Sequence, residues 1–182
     1  MDVPEFVRDS PLLEGAFRLA QAAHHGARRA DGANIEHPVA VAALLNSEGY
    51  DENIVAAGLL HDVIEDTTTD IEEIEDRFGP EVARLVREMT EDPEIEPYER
   101  RKAEHRARIA RDRNVAAIYA ADKLAGARSM LEDPSSVDEP RVQHYVASFD
   151  ELCRRYPDLP FLVDLRAELR RLEWERRGRG DG

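Results

Sequence analysis

Histidine and acidic residues with the chemistry of metal ligands follow an apolar segment of the sequence. His61 and Asp62 come directly after IVAAGLL, and a second acidic pair, Glu65 and Asp66, begins three residues further on. Burying such groups beside apolar side chains is costly unless a cation or hydrogen-bond partners compensate. A metal site is one explanation of this motif, and a polar helix end that faces solvent is the other. The motif alone does not choose between them.

Two other segments favour the metal site. His37 precedes Pro38 at the start of the apolar segment EHPVAVAALL, and Asp122 lies in the middle of the small, apolar segment NVAAIYAADKLAGARSML. A carboxylate in such a segment needs a partner. Together with His61 and Asp62, these residues form a mixed imidazole and carboxylate set. Such a set suits one borderline or hard divalent ion, and Mn, Fe and Zn are all compatible with it.

The order of these residues resembles the HD superfamily of metal-dependent phosphohydrolases. The motifs EHPVAVAALL, LLHDVIEDT and AADKLAGAR carry the resemblance, and HHGARRADG, FGPEVARLVREMTED and PRVQHYV extend it over roughly residues 10–150. More narrowly, the chain is similar to the hydrolase domains of RelA/SpoT proteins and to small stand-alone alarmone hydrolases. The resemblance implies an all-α HD-domain fold with one metal site in a helix-lined cleft, and hydrolysis of the 3′-pyrophosphate of (p)ppGpp.

The resemblance also implies roles for individual residues. The implied metal ligands are His37, His61, Asp62 and Asp122. Mn²⁺ is the usual ion in the family, with Fe and Zn as alternatives. Glu65 and Asp66 would orient or deprotonate the attacking water, whose pKa a divalent ion lowers from about 15.7 towards 7. The residues implied in substrate binding are Arg28, Arg29, Lys123, Arg141 and Tyr145.

The chain departs from the family pattern near the expected substrate pocket. Gly126 stands where the family usually has Asn, Ala30 replaces a basic residue, and Pro97 replaces a loop lysine. We therefore expect the metal chemistry to be retained but the recognition of polyphosphate and base to be weakened or rebuilt. Another phosphorylated nucleotide, such as NADPH or a nucleoside monophosphate, is an alternative substrate, and a nucleotide-binding regulator without turnover is an alternative function. Glu65 and Asp66 favour an enzyme.

Several residues near these motifs have two interpretations. Arg28 and Lys123 either bind substrate or face solvent, and Tyr145 either packs in the core or stacks on a base. The basic run 99–113 is interpreted as an exposed helix face with charge pairs at i, i+4 spacing. Trp174 is expected in the core or at a dimer contact.

Helices must position these residues. Apolar residues recur at helical spacing along almost the whole chain, and no stretch alternates as a strand would. The predicted helices are 10–29, 38–48, 52–65, 70–77, 80–91, 98–112, 115–132, 138–155 and 160–176. The simplest organisation is a single domain over residues 1–176, followed by a flexible tail at 177–182.

Composition limits the partners of the protein. The 182 residues include 25 Lys and Arg against 39 Asp and Glu, a net charge of −14, which argues against nucleic acid and anionic membranes as partners. No apolar run approaches the roughly 20 residues that span a bilayer. A single cysteine, Cys153, favours a reducing cytoplasm. A homodimer is left open.

The acidic excess is concentrated in one region. Residues 62–96 hold 14 acids against three arginines, and some of these acids are the expected ligands of the metal and its water. A bound divalent cation, together with Arg29 and Arg141, can make a cleft attractive to an anion on an acidic protein. The sequence therefore predicts a small anionic nucleotide as the substrate.

Overall fold

The computed structural model describes residues 1–25, 35–133 and 137–179 of the chain. Every regular element within these ranges is a helix, so the all-α prediction is confirmed. The helices are α1 (Glu5–Arg8), α2 (Pro11–His25), α3 (Glu36–Ser47), α4 (Glu52–Leu60), α5 (Val63–Asp66), α6 (Ile71–Phe78), α7 (Pro80–Met89), α8 (Tyr98–Ile109), α9 (Arg113–Glu132), α10 (Glu139–Arg155) and α11 (Leu162–Arg179). In these ranges no helix is long and apolar enough to cross a membrane.

The observed helices differ from the predicted ones mainly at the His61-Asp62 pair. The prediction of one helix over 52–65 is wrong, because the chain turns at His61 and Asp62 and divides this segment into α4 and α5. The four-residue helix α1 was not predicted, since it is too short to show a helical period. The predicted helix 10–29 corresponds to α2, and its last four residues lie outside the described ranges.

Aspartate side chains start several of the helices. In each case the carboxylate accepts a hydrogen bond from a backbone N–H of the first turn, which would otherwise lack a partner. These capping residues are Asp51 for α4, Asp70 for α6, Asp112 for α9 and Asp138 for α10. At the start of α4, 2.9 Å separates Asp51 Oδ1 from the backbone nitrogen of Asn53.

Two buried helices organise the core. Every residue of α4 from Ile54 to Leu60 is buried, and so is every residue of α9 from Val115 to Ala127. Helix α4 packs against α2, α3, α7 and α9, and α3 also packs against α9. The C-terminal end of α4, the start of α3 and the middle of α9 therefore meet in one place.

The C-terminal helix is part of the same packed body. Leu165, Leu169 and Leu172 of α11 are buried in a second apolar cluster, with Leu124 of α9 and Tyr145 of α10 among its members. This packing supports our proposal that residues 1–176 form a single domain. Helix α11 continues to Arg179, so it includes the first three residues of the segment expected to be a tail.

We predict that Leu165→Ala lowers the free energy of unfolding by about 2–5 kcal/mol, because the fully buried side chain leaves a cavity. Val163→Ala, at a neighbouring position that is 73% exposed, is the control and should change it by less than about 0.5 kcal/mol. Urea unfolding is followed by circular dichroism and by fluorescence of Trp174 on α11. A separate transition for the fluorescence signal would contradict a single domain.

Candidate metal and active site

Three segments bring the predicted metal ligands together. His37 lies in the first turn of α3, His61 and Asp62 form the turn after α4, and Asp122 lies in the middle of α9. Asp122 Oδ1 is 3.0 Å from His37 Nε2 and 3.8 Å from His61 Nε2. Asp62 places one oxygen 3.1 Å from His61 Nε2 and the other 3.9 Å from His37 Nε2. His37, His61 and Asp122 therefore converge, with ligand atoms within 4.8 Å of one another, and Asp62 lies beside the two histidines.

The orientation of His61 fits a metal ion. The ring is 2% exposed, and its Nδ1–H donates a hydrogen bond of 2.9 Å to the carbonyl oxygen of Gly58. Its Nε2 is buried and has no hydrogen-bond partner among the described residues. A backbone carbonyl on one ring nitrogen is a common way to orient the other nitrogen towards a metal. A buried imidazole nitrogen whose nearest neighbours are carboxylate oxygens matches the requirements of a divalent cation.

The carboxylates give this cluster a strong affinity for positive charge. Burial lowers the pKa of His61, but the neighbouring Asp62 and Asp122 outweigh burial and raise that pKa to about 9. Burial raises the pKa of Asp122, yet Lys123 and the two histidines hold it well below its ordinary value. Both shifts arise because the carboxylates and the cationic groups around them stabilise each other's charged forms.

Lys123 is directed into the protein and not to solvent. It is buried, and its Nζ donates a hydrogen bond of 2.7 Å to Asp122 Oδ2. The same nitrogen lies 4.5 Å from the ring centroid of Tyr119 and 5.0 Å from that of Tyr145. Asp122 therefore presents one oxygen to the histidines and the other to Lys123.

Glu65 and Asp66 lie on α5, beside the cluster. Glu65 Oε1 accepts a hydrogen bond of 2.6 Å from the backbone N–H of Glu91. Partial desolvation raises the pKa of the Glu65 carboxyl above its ordinary value, and the hydrogen bond from Glu91 opposes this rise. A carboxylate with a raised pKa is a better proton acceptor near neutral pH. The half-buried Asp66 lines the same cleft.

The cluster lies in a cleft with a volume of about 800 Å³. Of the residues predicted to bind substrate, Lys123, Arg141 and Tyr145 line this cleft, whereas Arg28 and Arg29 lie outside the described residues. Arg141 holds its guanidinium carbon 5.9 Å from the ring centroid of Tyr145. Tyr145 is 5% exposed and belongs to the second apolar cluster, so its ring packs in the core.

Helix α8 contributes cleft residues that the sequence interpretation missed. Tyr98 and Lys102 line the cleft, and the Nζ of Lys102 donates a hydrogen bond to the carboxylate of Glu91. The interpretation of 99–113 as an exposed face is therefore wrong for Lys102, whose side chain is 19% exposed. One sequence signal was available: Tyr98, Lys102, His105 and Ile109 recur at the spacing of a helix face. That face includes the buried Ile109.

Two further histidines form a neutral, buried wall behind the cleft. His144 Nδ1 accepts a hydrogen bond of 2.9 Å from Arg106, and Nε2 lies 3.3 Å from the hydroxyl of Tyr119. Burial, reinforced by Lys123, lowers the pKa of His144 to about 2. Burial also lowers the pKa of His105 to about 4, although Glu91 opposes this shift.

Trp174, which was expected in the core or at a dimer contact, is not a core residue, because 77% of it is exposed.

Comparison with known families identifies similar proteins. The family described as "HD domain" matches residues 16–152 of the chain. A guanosine-3′,5′-bis(diphosphate) 3′-pyrophosphohydrolase MESH1 of Xenopus tropicalis is 35% identical over 152 residues, which cover 80% of this chain and 85% of that protein. The Homo sapiens protein of the same name is 36% identical over 140 residues, covering 74% of this chain and 78% of that protein.

Solved structures show the same similarity. A metazoan ortholog of SpoT that hydrolyzes ppGpp superposes with a TM-score of 0.75 at 27% identity, covering 94% of this chain and 98% of that chain. A protein from Listeria monocytogenes EGD-e superposes with a TM-score of 0.67 at 29% identity, covering 75% of this chain and 97% of that chain. The fold of this chain is therefore shared over nearly the whole length of both structures.

The cluster predicts that a divalent ion stabilises the protein. Mn²⁺ as the probe, at about 100 times its dissociation constant, should raise the midpoint of thermal unfolding by roughly 5–10 °C, because the ion binds only the folded state. His61→Ala should abolish this rise. His144→Gln removes a histidine outside the cluster and is the control, which should retain it. A rise of equal size in His61→Ala would argue against the assigned ligands.

The neutral wall predicts a loss of stability in acid. The pKa of His144 is lower in the folded protein than its ordinary value of about 6.5, so below that pH the unfolded chain binds the proton and stability falls. Between about pH 7.5 and about pH 5.5, the wild type should lose about 1.4 kcal/mol more than His144→Gln, which cannot titrate. Urea unfolding at both pH values measures this difference, and equal losses would contradict a neutral His144.

Proposed function

The chain belongs to the HD-domain family, and from this premise we propose that it is a metal-dependent phosphohydrolase that removes the 3′-pyrophosphate of ppGpp. The observation that carries the proposal is the buried Nε2 of His61, which lies beside carboxylate oxygens of Asp62 and Asp122 and near His37 in the cleft. The similar proteins from Xenopus tropicalis and Homo sapiens, named as hydrolases of this nucleotide, support the choice of substrate. The proposed reaction adds water to ppGpp and yields GDP and pyrophosphate.

We assign the metal ligands to His37, His61, Asp62 and Asp122. Held there, a divalent ion supplies Lewis-acid activation of water near neutral pH. We propose Mn²⁺ as the ion, with Fe and Zn as alternatives, because two imidazoles and two carboxylates suit each of these metals.

Glu65 accepts a proton from the attacking water in this proposal. Its Oε1 is held by the N–H of Glu91, which fixes the side chain and leaves the second oxygen to meet the water. The raised pKa of Glu65 makes proton acceptance more favourable. Asp66, next in sequence and in the same cleft, orients the water.

Cations along the cleft offset the charge of the substrate. Lys123 and Arg141 lie near the metal cluster on α9 and α10, and Lys102 approaches from α8. Each of these cations already contacts a carboxylate or an aromatic ring. A phosphate group that enters the cleft can also interact with these three cations. Their positive charge then stabilises the negative charge that develops on the phosphoryl oxygens. This arrangement explains how a protein with a net charge of −14 can bind an anion.

The sequence analysis left two alternatives to a ppGpp hydrolase, and enzyme assays distinguish them. NADPH or a nucleoside monophosphate as substrate keeps the same metal chemistry, and a regulator binds nucleotide without turnover. The pairing of Glu65 with the Glu91 N–H favours an enzyme, because a sensor does not need a fixed proton acceptor beside its metal. We keep the cytoplasm as the proposed location and a homodimer as an open proposal, for which Trp174 and Val163 on α11 are exposed apolar contacts.

We predict that the purified protein with Mn²⁺ releases pyrophosphate from ppGpp, and that Glu65→Gln lowers kcat about 100-fold or more. Glutamine can still accept the Glu91 hydrogen bond but does not take up a proton from water. Glu72→Gln, at an exposed position on α6, is the matched control and should retain full activity.

The assay uses a nucleotide panel that includes ppGpp, NADPH and nucleoside monophosphates. Turnover of another nucleotide in preference to ppGpp would reassign the substrate, and saturable binding without turnover would identify a regulator. Full activity in Asp62→Ala or Glu65→Gln would refute the assigned site.

A further inference from the structure

The hydroxyl of Tyr145 on α10 occupies the space in which a side chain at Gly126 on α9 would begin. A Cβ atom built on Gly126 would lie 2.2 Å from the hydroxyl oxygen of Tyr145 and 3.1 Å from its Cζ. Both distances are shorter than the roughly 3.5 Å at which non-bonded heavy atoms attract each other. Any side chain at position 126 would therefore displace the phenol from its present position.

In the wild type, close packing holds the phenol of Tyr145 in place. The residue is 5% exposed, and its ring packs in the second apolar cluster with Leu124, Leu165 and Leu169. Close-packed side chains of this kind resist displacement, because their neighbours fill the surrounding space. The hydroxyl end of Tyr145 therefore has a fixed position over Gly126.

This position lies beside the proposed active centre. Gly126 follows the assigned ligand Asp122 by four residues, so both lie on one face of α9 and are separated by one helical turn. Gly126 and Tyr145 both line the cleft. Lys123 Nζ lies 5.0 Å from the ring centroid of Tyr145, and the guanidinium carbon of Arg141 lies 5.9 Å from it. The phenol is thus accompanied by two cations.

We propose that Gly126 determines substrate affinity by acting through Tyr145. Because position 126 has no side chain, the phenol forms this part of the cleft wall with Lys123 and Arg141. The three groups together receive the part of a phosphorylated nucleotide that lies beyond the attacked phosphorus. Gly126 is a positioning residue and Tyr145 is the contact. The inference rests on the proposed function for its substrate class, but the steric relation between the two residues does not.

A double-mutant cycle tests this inference. The four proteins are the wild type, Gly126→Ala, Tyr145→Phe and the double variant, and kcat and KM are measured on the nucleotide that the wild type hydrolyses fastest. Gly126→Ala should raise KM about tenfold with a change in kcat below about threefold, because the methyl group displaces the phenol. Tyr145→Phe removes the 2.2 Å contact and leaves an approach of 3.1 Å to the ring, which a shift of a few tenths of an ångström relieves. Adding Gly126→Ala to this variant should therefore raise KM by less than about twofold.

The control is Gly15→Ala on α2. A Cβ there would lie 3.3 Å from Phe78 Cε1, a tight contact that does not involve the cleft. This variant should leave KM unchanged. If nucleotide is bound without turnover, the same cycle is measured on the dissociation constant.

Independent, multiplicative effects of the two substitutions on KM would overturn the inference, and so would an unchanged KM in Gly126→Ala. Failure of the proposed substrate gives a different result. In that case the wild type does not hydrolyse ppGpp, while the cycle measured on its preferred nucleotide still shows that Gly126→Ala has almost no further effect on KM once Tyr145→Phe has removed the hydroxyl.

Discussion

The carboxylate of Asp122 is buried in the middle of an otherwise apolar stretch of α9, and much of the site follows from the need to compensate it. His37 and His61 approach one oxygen, and Lys123 holds the other. Removing one partner from such a cluster would leave an uncompensated charge in a medium that solvates it poorly. The packing of α3 and α4 against α9 is what brings these partners together. Compensation of the buried Asp122 carboxylate thus constrains both the packing of these helices and the composition of the proposed metal site.

Elsewhere in the cleft, too, charged side chains lie beside groups that compensate their charge. Lys102 donates a hydrogen bond to Glu91. Lys123 donates one to Asp122 and lies near two phenol rings. In the proposed complex, each ammonium group also interacts with the phosphate of the ligand. Glu91 serves two purposes, because its side chain binds Lys102 while its backbone N–H orients Glu65. The proposed proton acceptor, Glu65, and a proposed phosphate-binding cation, Lys102, are therefore linked through a single residue. The placement of cations along one cleft supports the proposal that a protein with many more acids than bases binds an anion.

The sequence predicted the parts of the site that local patterns encode. Ionisable residues inside apolar segments marked His61, Asp62 and Asp122, and helical periodicity established the all-α fold. Periodicity did not show the turn at His61 and Asp62, since both residues keep helical backbone angles while the helix ends. The burial of Lys102 and the contact between Gly126 and Tyr145 depend on how distant helices pack. No local pattern contains that information.

Four side chains, His37, His61, Asp62 and Asp122, are proposed to hold one divalent ion. The decisive experiment is anomalous diffraction from crystals grown with Mn²⁺, recorded on both sides of the manganese absorption edge. We expect one strong anomalous peak about 2.0–2.3 Å from Nε2 of both histidines and from an oxygen of each aspartate. A peak elsewhere in the cleft, or no peak at this cluster when the crystals contain bound Mn²⁺, would contradict this assignment.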